Sequence, residues 1–143
     1  MKTLIIYATK SGAARESAEL LAAKLGNCTL CNASKPLPAI DADALIIGSG
    51  VRMGKIYRPA KNFIQKNSRL LLSKKLAFYL CGAYPETLQD AIEKNIPKDL
   101  ARHAVRIENL GGKPPFSSPR DQNWLRMEGV EALVSAMQLN PSL

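Results

Sequence analysis

The chain predicts an α/β architecture: a doubly wound, five-stranded parallel sheet with helices on both faces. Three observations carry that expectation. Short apolar, β-rich runs recur along the sequence without the in-out alternation of a half-exposed sheet, as strands covered on both faces should. Segments with helical spacing of apolar residues separate those runs. The 143 residues, 46% hydrophobic and 22% charged, are enough for one ordinary globular core and too few for two domains of usual size. Residues 1–143 are read as a single domain, since no repeat, low-complexity tract or linker divides them.

The elements follow in order. Thr3–Ala8 is the first strand. Ala14, Ala18, Leu21, Ala22 and Leu25 then share one helical face, and Gly26 ends that helix. Cys28–Cys31 is a short second strand and Ala44–Gly48 a third. Pro59 opens a helix whose inner face holds Ala60, Phe63, Ile64 and Leu71. Leu76–Cys81 is the fourth strand. Pro85 and Glu86 start a helix through Leu88, Ala91 and Ile92 that stops before Pro97. Ala104–Leu110, less apolar, is a fifth strand suited to an edge, and after a Gly/Pro/Ser loop a last helix runs from about Asp121 to Met137. Right-handed crossovers make the sheet parallel.

Composition limits the function. No apolar run approaches the ~20 residues of a membrane-spanning helix. The opening Met-Lys-Thr-Leu-Ile-Ile-Tyr-Ala lacks a cleavage site and reads as a strand, not a signal peptide. Three cysteines without an export signal fit a reducing, cytoplasmic setting. The formal net charge is +8, and all of the excess lies between Arg52 and Lys75, where there are eight basic residues and no acidic one. Such a segment suits an anionic partner: a phosphate, an acidic protein or an anionic membrane surface to which the chain would be peripheral. A solvated basic helix accounts for it equally well. Nucleic acid finds little support, because the only aromatics in the segment are Tyr57 and Phe63, and Phe63 belongs to the core face.

In a doubly wound sheet, ligands bind beyond the carboxyl ends of the strands. Three loops stand there. Thr9, Lys10, Ser11, Gly12, Ala13 and Ala14 follow the first strand, combining two hydroxyls, a turning Gly and the free amides of a helix start into an anion site; plain helix capping is the bland alternative. The loop lacks the Gly-Lys-Ser/Thr of a Walker motif and the three glycines of a dinucleotide fingerprint. Gly48 with Ser49, Gly50, Val51, Arg52, Met53 and Gly54 follows the third strand, and its glycines suit close approach of a flat ring to the backbone. Cys81, Gly82, Ala83 and Tyr84 follow the fourth, with Tyr84 able to stack on such a ring.

On these motifs the chain resembles the flavodoxin-like family, whose phosphate loop runs hydroxyl–x–hydroxyl–Gly–x–hydroxyl. The stretch from Gly48 to Gly54 and the basic helix after it resemble the branch that includes menaquinone-dependent protoporphyrinogen dehydrogenases, as do Met1–Ile5 and Ala77–Tyr79. The resemblance covers about residues 1–84. It implies strand order 2-1-3-4-5 and a bound flavin mononucleotide (FMN). The phosphate would lie on Thr9 to Ala14, and the ring between the other two loops beside Arg52. Two departures stand out. Ala14 replaces the last hydroxyl of the pattern, and the branch's long basic, aromatic insertion in the last third has no counterpart, leaving little material for a porphyrin-sized pocket.

Other motifs are weaker. Cys28-x-x-Cys31 lies on a strand, where an offset of three sends the side chains to opposite faces; neither a redox pair nor a zinc site follows, and buried structural thiols are expected. His103 stands at the far end of the sheet from the three loops. The sequence thus supports an FMN-dependent oxidoreductase that passes electrons to a quinone or other small acceptor, with no catalytic side chain of its own. Two alternatives stay open: an electron carrier docking on a protein partner, and a domain that has lost its flavin.

Overall fold

Each apolar run becomes a strand of one sheet, and alternate residues of each strand serve two separate cores. A computed structural model of the chain describes residues 2–37, 40–82, 85–112 and 124–138. The strands are β1 (Thr3–Ala8), β2 (Cys28–Asn32), β3 (Ala44–Arg52), β4 (Lys55–Ile56), β5 (Lys75–Cys81) and β6 (Arg106–Asn109). All neighbours pair in parallel in the order β2-β1-β3-β5-β6, while β4 folds back antiparallel on the end of β3 alone. With β4 set aside, this is the expected 2-1-3-4-5 order.

The helices are α1 (Ala13–Leu25), α2 (Arg58–Lys66), α3 (Ser68–Leu72), α4 (Leu88–Asn95), α5 (Lys98–His103) and α6 (Met127–Gln138). Ile5, Ile46, Ala77 and Tyr79 face one side of the sheet, where Ala14, Ala18 and Leu21 of α1 meet Val130, Leu133 and Met137 of α6. Leu4, Ile6, Leu45, Ile47, Phe78 and Leu80 face the other, against Phe63, Ile64, Leu71 and Leu100. This two-sided burial is why the strands read as continuous apolar runs.

Several boundaries differ from the expectation. Asn67 donates both its backbone N–H and its Nδ2 to the carbonyl of Phe63, at 3.1 and 2.9 Å, and this splits the basic helix into α2 and α3. The helix opened by Pro85 begins as a 3₁₀ turn over Pro85–Thr87. Six-residue α5 is too short to show a period, and only Leu100 anchors it in the core. The last helix starts at Met127, not near Asp121, because Arg126 still donates its N–H to Leu110 in an extended connection. Residues 121–123 lie outside the described part. Cys28 and Cys31 do take opposite faces, one against each core, but both are half-buried, not buried. Burial pushes both thiols up. His103 contacts the carbonyl of Lys74 at the amino end of β5, at 2.6 Å.

Candidate functional site

The carboxyl ends of β1, β3 and β5 meet at one edge of the molecule, and the three loops singled out in the sequence start there. After β1 the chain turns through Gly12, which holds φ +95° and caps α1. A side chain there would meet no atom within 4 Å, so the loop is open on its outer side and its Gly is required by backbone conformation, not by crowding. Thr9 Oγ1 accepts the Gly12 N–H at 3.0 Å, and Ser11 Oγ accepts that of Ala13 at 3.4 Å. The hydroxyls thus order the loop from within. Exposed Lys10 extends over the ring of Tyr57, its Nζ 4.9 Å from the centroid.

The stretch after β3 is a hairpin. Ser49, Gly50, Val51 and Arg52 continue the strand; Met53 and Gly54 turn it, with φ +54° and +79°; Lys55 and Ile56 return as β4. Positive φ at both central positions makes this a tight two-residue hairpin. Asn95 of α4 holds it: Oδ1 accepts the Ile56 N–H at 3.1 Å, and Nδ2 donates to the Gly54 carbonyl at 2.9 Å.

The glycines do admit flat rings, but the rings belong to the chain itself. A Cβ on Gly48 would lie 1.9 Å from the Tyr79 ring, and one on Gly50 would lie 2.6 Å from that of Tyr57. Buried Ser49 is occupied too, donating to the Gly50 carbonyl at 2.7 Å and accepting the Tyr57 N–H at 3.0 Å. Desolvation raises the Tyr57 hydroxyl, opposed in part by the nearby Arg52 guanidinium.

After β5, Cys81 turns inward under α1, with its Sγ 3.7 Å from Ser17 Oγ. Burial pushes its thiol up to about 12 although the Ser17 contact pulls the other way. The Gly82 N–H donates to Asn109 Oδ1 at 3.3 Å instead of facing open space. Ala83 and Tyr84 lie outside the described residues.

One feature was legible only in part. Lys10, Arg52, Lys55, Arg58, Lys61 and Lys94 surround one open cavity of about 860 Å³, with Met53, Ile56, Tyr57 and Asn95 between them. Among the described residues none of these six cations is in an ion pair. The run from Arg52 announces most of them; Lys10 comes from the loop after β1 and Lys94 from α4, both distant in sequence, and only the fold gathers them. The described residues hold no cluster of potential metal ligands, and no helix among them is long and apolar enough to cross a membrane.

The sheet order and the loops at its carboxyl edge define a flavodoxin-type domain, and comparison with known proteins agrees. Residues 4–115 match the Flavodoxin domain family, and the chain belongs to it. Among curated proteins, the protoporphyrinogen IX dehydrogenase [quinone] of Escherichia coli is 31% identical over 85 residues, 55% of this chain. The match spans 47% of that relative, so the chain covers about half its length. Among solved structures, a flavoprotein in complex with FMN from Lactobacillus acidophilus superposes with a TM-score of 0.60 at 18% identity, covering 76% of this chain and 92% of the other. Oxidised flavodoxin 2 from Bacillus cereus gives 0.61 at 22% identity, over 95% and 97% of the two chains. At these identities the structural likeness establishes the fold.

Proposed function

We propose that the chain is an FMN-binding oxidoreductase that passes electrons between a donor and a quinone or other small acceptor. The observation that carries this reading is the loop after β1: two hydroxyls, a left-handed Gly12 open to solvent, and the first turn of the 13-residue α1, all at the carboxyl edge of a flavodoxin-type sheet. These residues fit a phosphate. The Thr9 and Ser11 hydroxyls accept the Gly12 and Ala13 N–H groups, so a phosphate would take those N–H groups over from them; the N-terminal end of α1 supplies the positive pole, and exposed Lys10 adds a full charge beside it. The absent hydroxyl at Ala14 removes one hydrogen bond and leaves the amides in place.

When bound, FMN supplies the electron-transfer chemistry, since its ring carries the redox step. The chain's own residues do the rest. Thr9 to Ala14 hold the phosphate. Arg52 places a positive charge beside Tyr57 at the end of β3, where it favours negative charge on a neighbouring group. Tyr57 covers Gly50 and Tyr79 covers Gly48, which favours a ring seated beyond those two glycines. The ring would lie on the outer side of this edge, near the hairpin.

Quinone as acceptor is a class suggested by the E. coli relative's name; its porphyrin substrate is not carried over. The second reading, an electron carrier, draws support from the six cations, which suit docking. Purified protein should be yellow, with the absorbance bands of oxidised flavin. Oxidation of NAD(P)H or quinol by the isolated protein supports the enzyme, whereas redox cycling only with an added protein supports the carrier. Colourless protein that takes up no FMN sinks both.

A further inference from the structure

The hairpin at the end of β3 breaks three local rules at once. Met53 adopts φ +54°, a left-handed conformation that an unbranched apolar side chain gains nothing from adopting. The residue is 90% exposed, well beyond any other exposed large apolar residue described in the chain. Arg52 and Lys55, of like charge, are paired directly across the hairpin. Each costs stability, and Asn95 holds the arrangement in place with two hydrogen bonds. Local costs that converge on one rigid feature mark function more often than accident. The result is an apolar knob beside a concave surface ringed by six cations, with no acidic side chain among its lining.

We propose that this face is the docking site for an acidic protein, which sends a carboxylate-rich convex segment into the cavity and receives Met53 in an apolar socket. Charge complementarity selects the partner's sign: six cations repel one another until carboxylates separate them, so an acidic surface is steered in from a distance and a basic one is repelled. The concave shape selects a protein over a bilayer, which is flat on this scale. A single methionine also provides too little apolar surface to anchor the chain in lipid. Tyr57, half-buried against Gly50, is no stacking platform for bases. The inference deepens the redox reading by giving the electron-transfer edge a partner of stated charge, but the contact itself does not depend on flavin.

Binding is therefore tested without any activity. The isotope-labelled chain, with and without added FMN, is titrated with two small acidic redox proteins, a rubredoxin and a plant-type ferredoxin, while amide shifts are followed by NMR. Shifts should cluster on residues 52–61, Lys94 and Lys10, and affinity should fall roughly tenfold between 50 and 200 mM salt. The double variant Arg52→Glu, Lys94→Glu should lose roughly tenfold or more. Met53→Gly is the decisive variant: it relieves the positive φ, so the protein stays as stable as the parent or gains, yet affinity drops several-fold with the salt dependence unchanged. Neither probe shifting this face would overturn the proposal. So would a Met53→Gly protein that docks as the parent does, or tight binding of the chain to phosphatidylglycerol vesicles that the double charge reversal abolishes while both acidic proteins fail to bind. Failure of FMN uptake with docking intact would leave this proposal standing and remove only the flavin.

Discussion

The hydroxyl of Tyr79 donates a 2.7 Å hydrogen bond to the carbonyl of Ala14, joining the middle of β5 to the first turn of α1 through the core. The fully buried Tyr79 ring reaches α1 by passing over Gly48 of β3, where any side chain would collide with it. The loop after β1 is thus tied to the sheet by an aromatic from a strand two places away from β1.

Tyr79→Phe keeps the ring and leaves the Ala14 carbonyl without this partner. It should cost about 1–3 kcal/mol. In urea unfolding, the midpoint falls while the slope is unchanged. Gly48→Ala should be worse, because a Cβ 1.9 Å from a ring carbon requires the ring or the strand to move. A Gly48→Ala protein as stable as the parent would contradict this packing.

Gly12→Val tests the loop itself. Space is open there, so the cost is conformational: a β-branched residue forced toward φ +95°, worth about 1–2 kcal/mol or a reshaped loop. The sheet should fold, with far-UV circular dichroism as in the parent. FMN affinity should drop at least about tenfold, or roughly 1.4 kcal/mol, by calorimetry. Unchanged affinity would put the phosphate elsewhere.

How much of this was legible beforehand depends on the range of each signal. The strands of the sheet are readable because burial on both faces leaves unbroken apolar runs such as Ile5-Ile6 and Ile46-Ile47, whereas their order follows from the family resemblance. β4 is not readable, because two residues carry no period and its pairing depends on the positive φ of Met53, which no sequence rule assigns to methionine. At the site, the open loop at Gly12 could be read from residue types. The occupants of Gly48 and Gly50 could not: small residues announce close approach, not what approaches, and here Tyr79 and Tyr57 do so from distant parts of the chain. Position along the chain puts Cys81 at the end of β5, beside the candidate site. The strand's alternation turns its side chain toward Ser17, which position alone does not announce.

Asn95→Ala should loosen the hairpin without unfolding the protein. Two hydrogen bonds, to Ile56 and Gly54, disappear together, at about 1–3 kcal/mol. Amide exchange at Ile56 should accelerate while β1 and β5 keep their protection. Equal acceleration across the sheet would mean that Asn95 supports the global fold instead.

Cys81 predicts alkaline behaviour. Its thiol is raised from 9.0 to about 12 in the folded state, so the unfolded chain gives up this proton first. Its contribution to stability is whole below pH 9 and is lost as the pH rises toward 12, at about 1.4 kcal/mol per unit at most. Cys81→Ala should flatten the fall in stability over that window, measured by urea unfolding at successive pH values. An unchanged slope would mean that Cys81 titrates as it does in the unfolded chain. In native protein at pH 8, a thiol reagent should modify half-buried Cys28 and Cys31 well before Cys81.

On the proposed function, the edge formed by the carboxyl ends of β1, β3 and β5 holds FMN. Titrating flavin-free protein into oxidised FMN and following the flavin's fluorescence tests it most directly. Quenching should saturate at one flavin per chain, be competed weakly by inorganic phosphate and weaken in the Gly12→Val variant. Fluorescence that stays constant while folded protein is added in excess would contradict it.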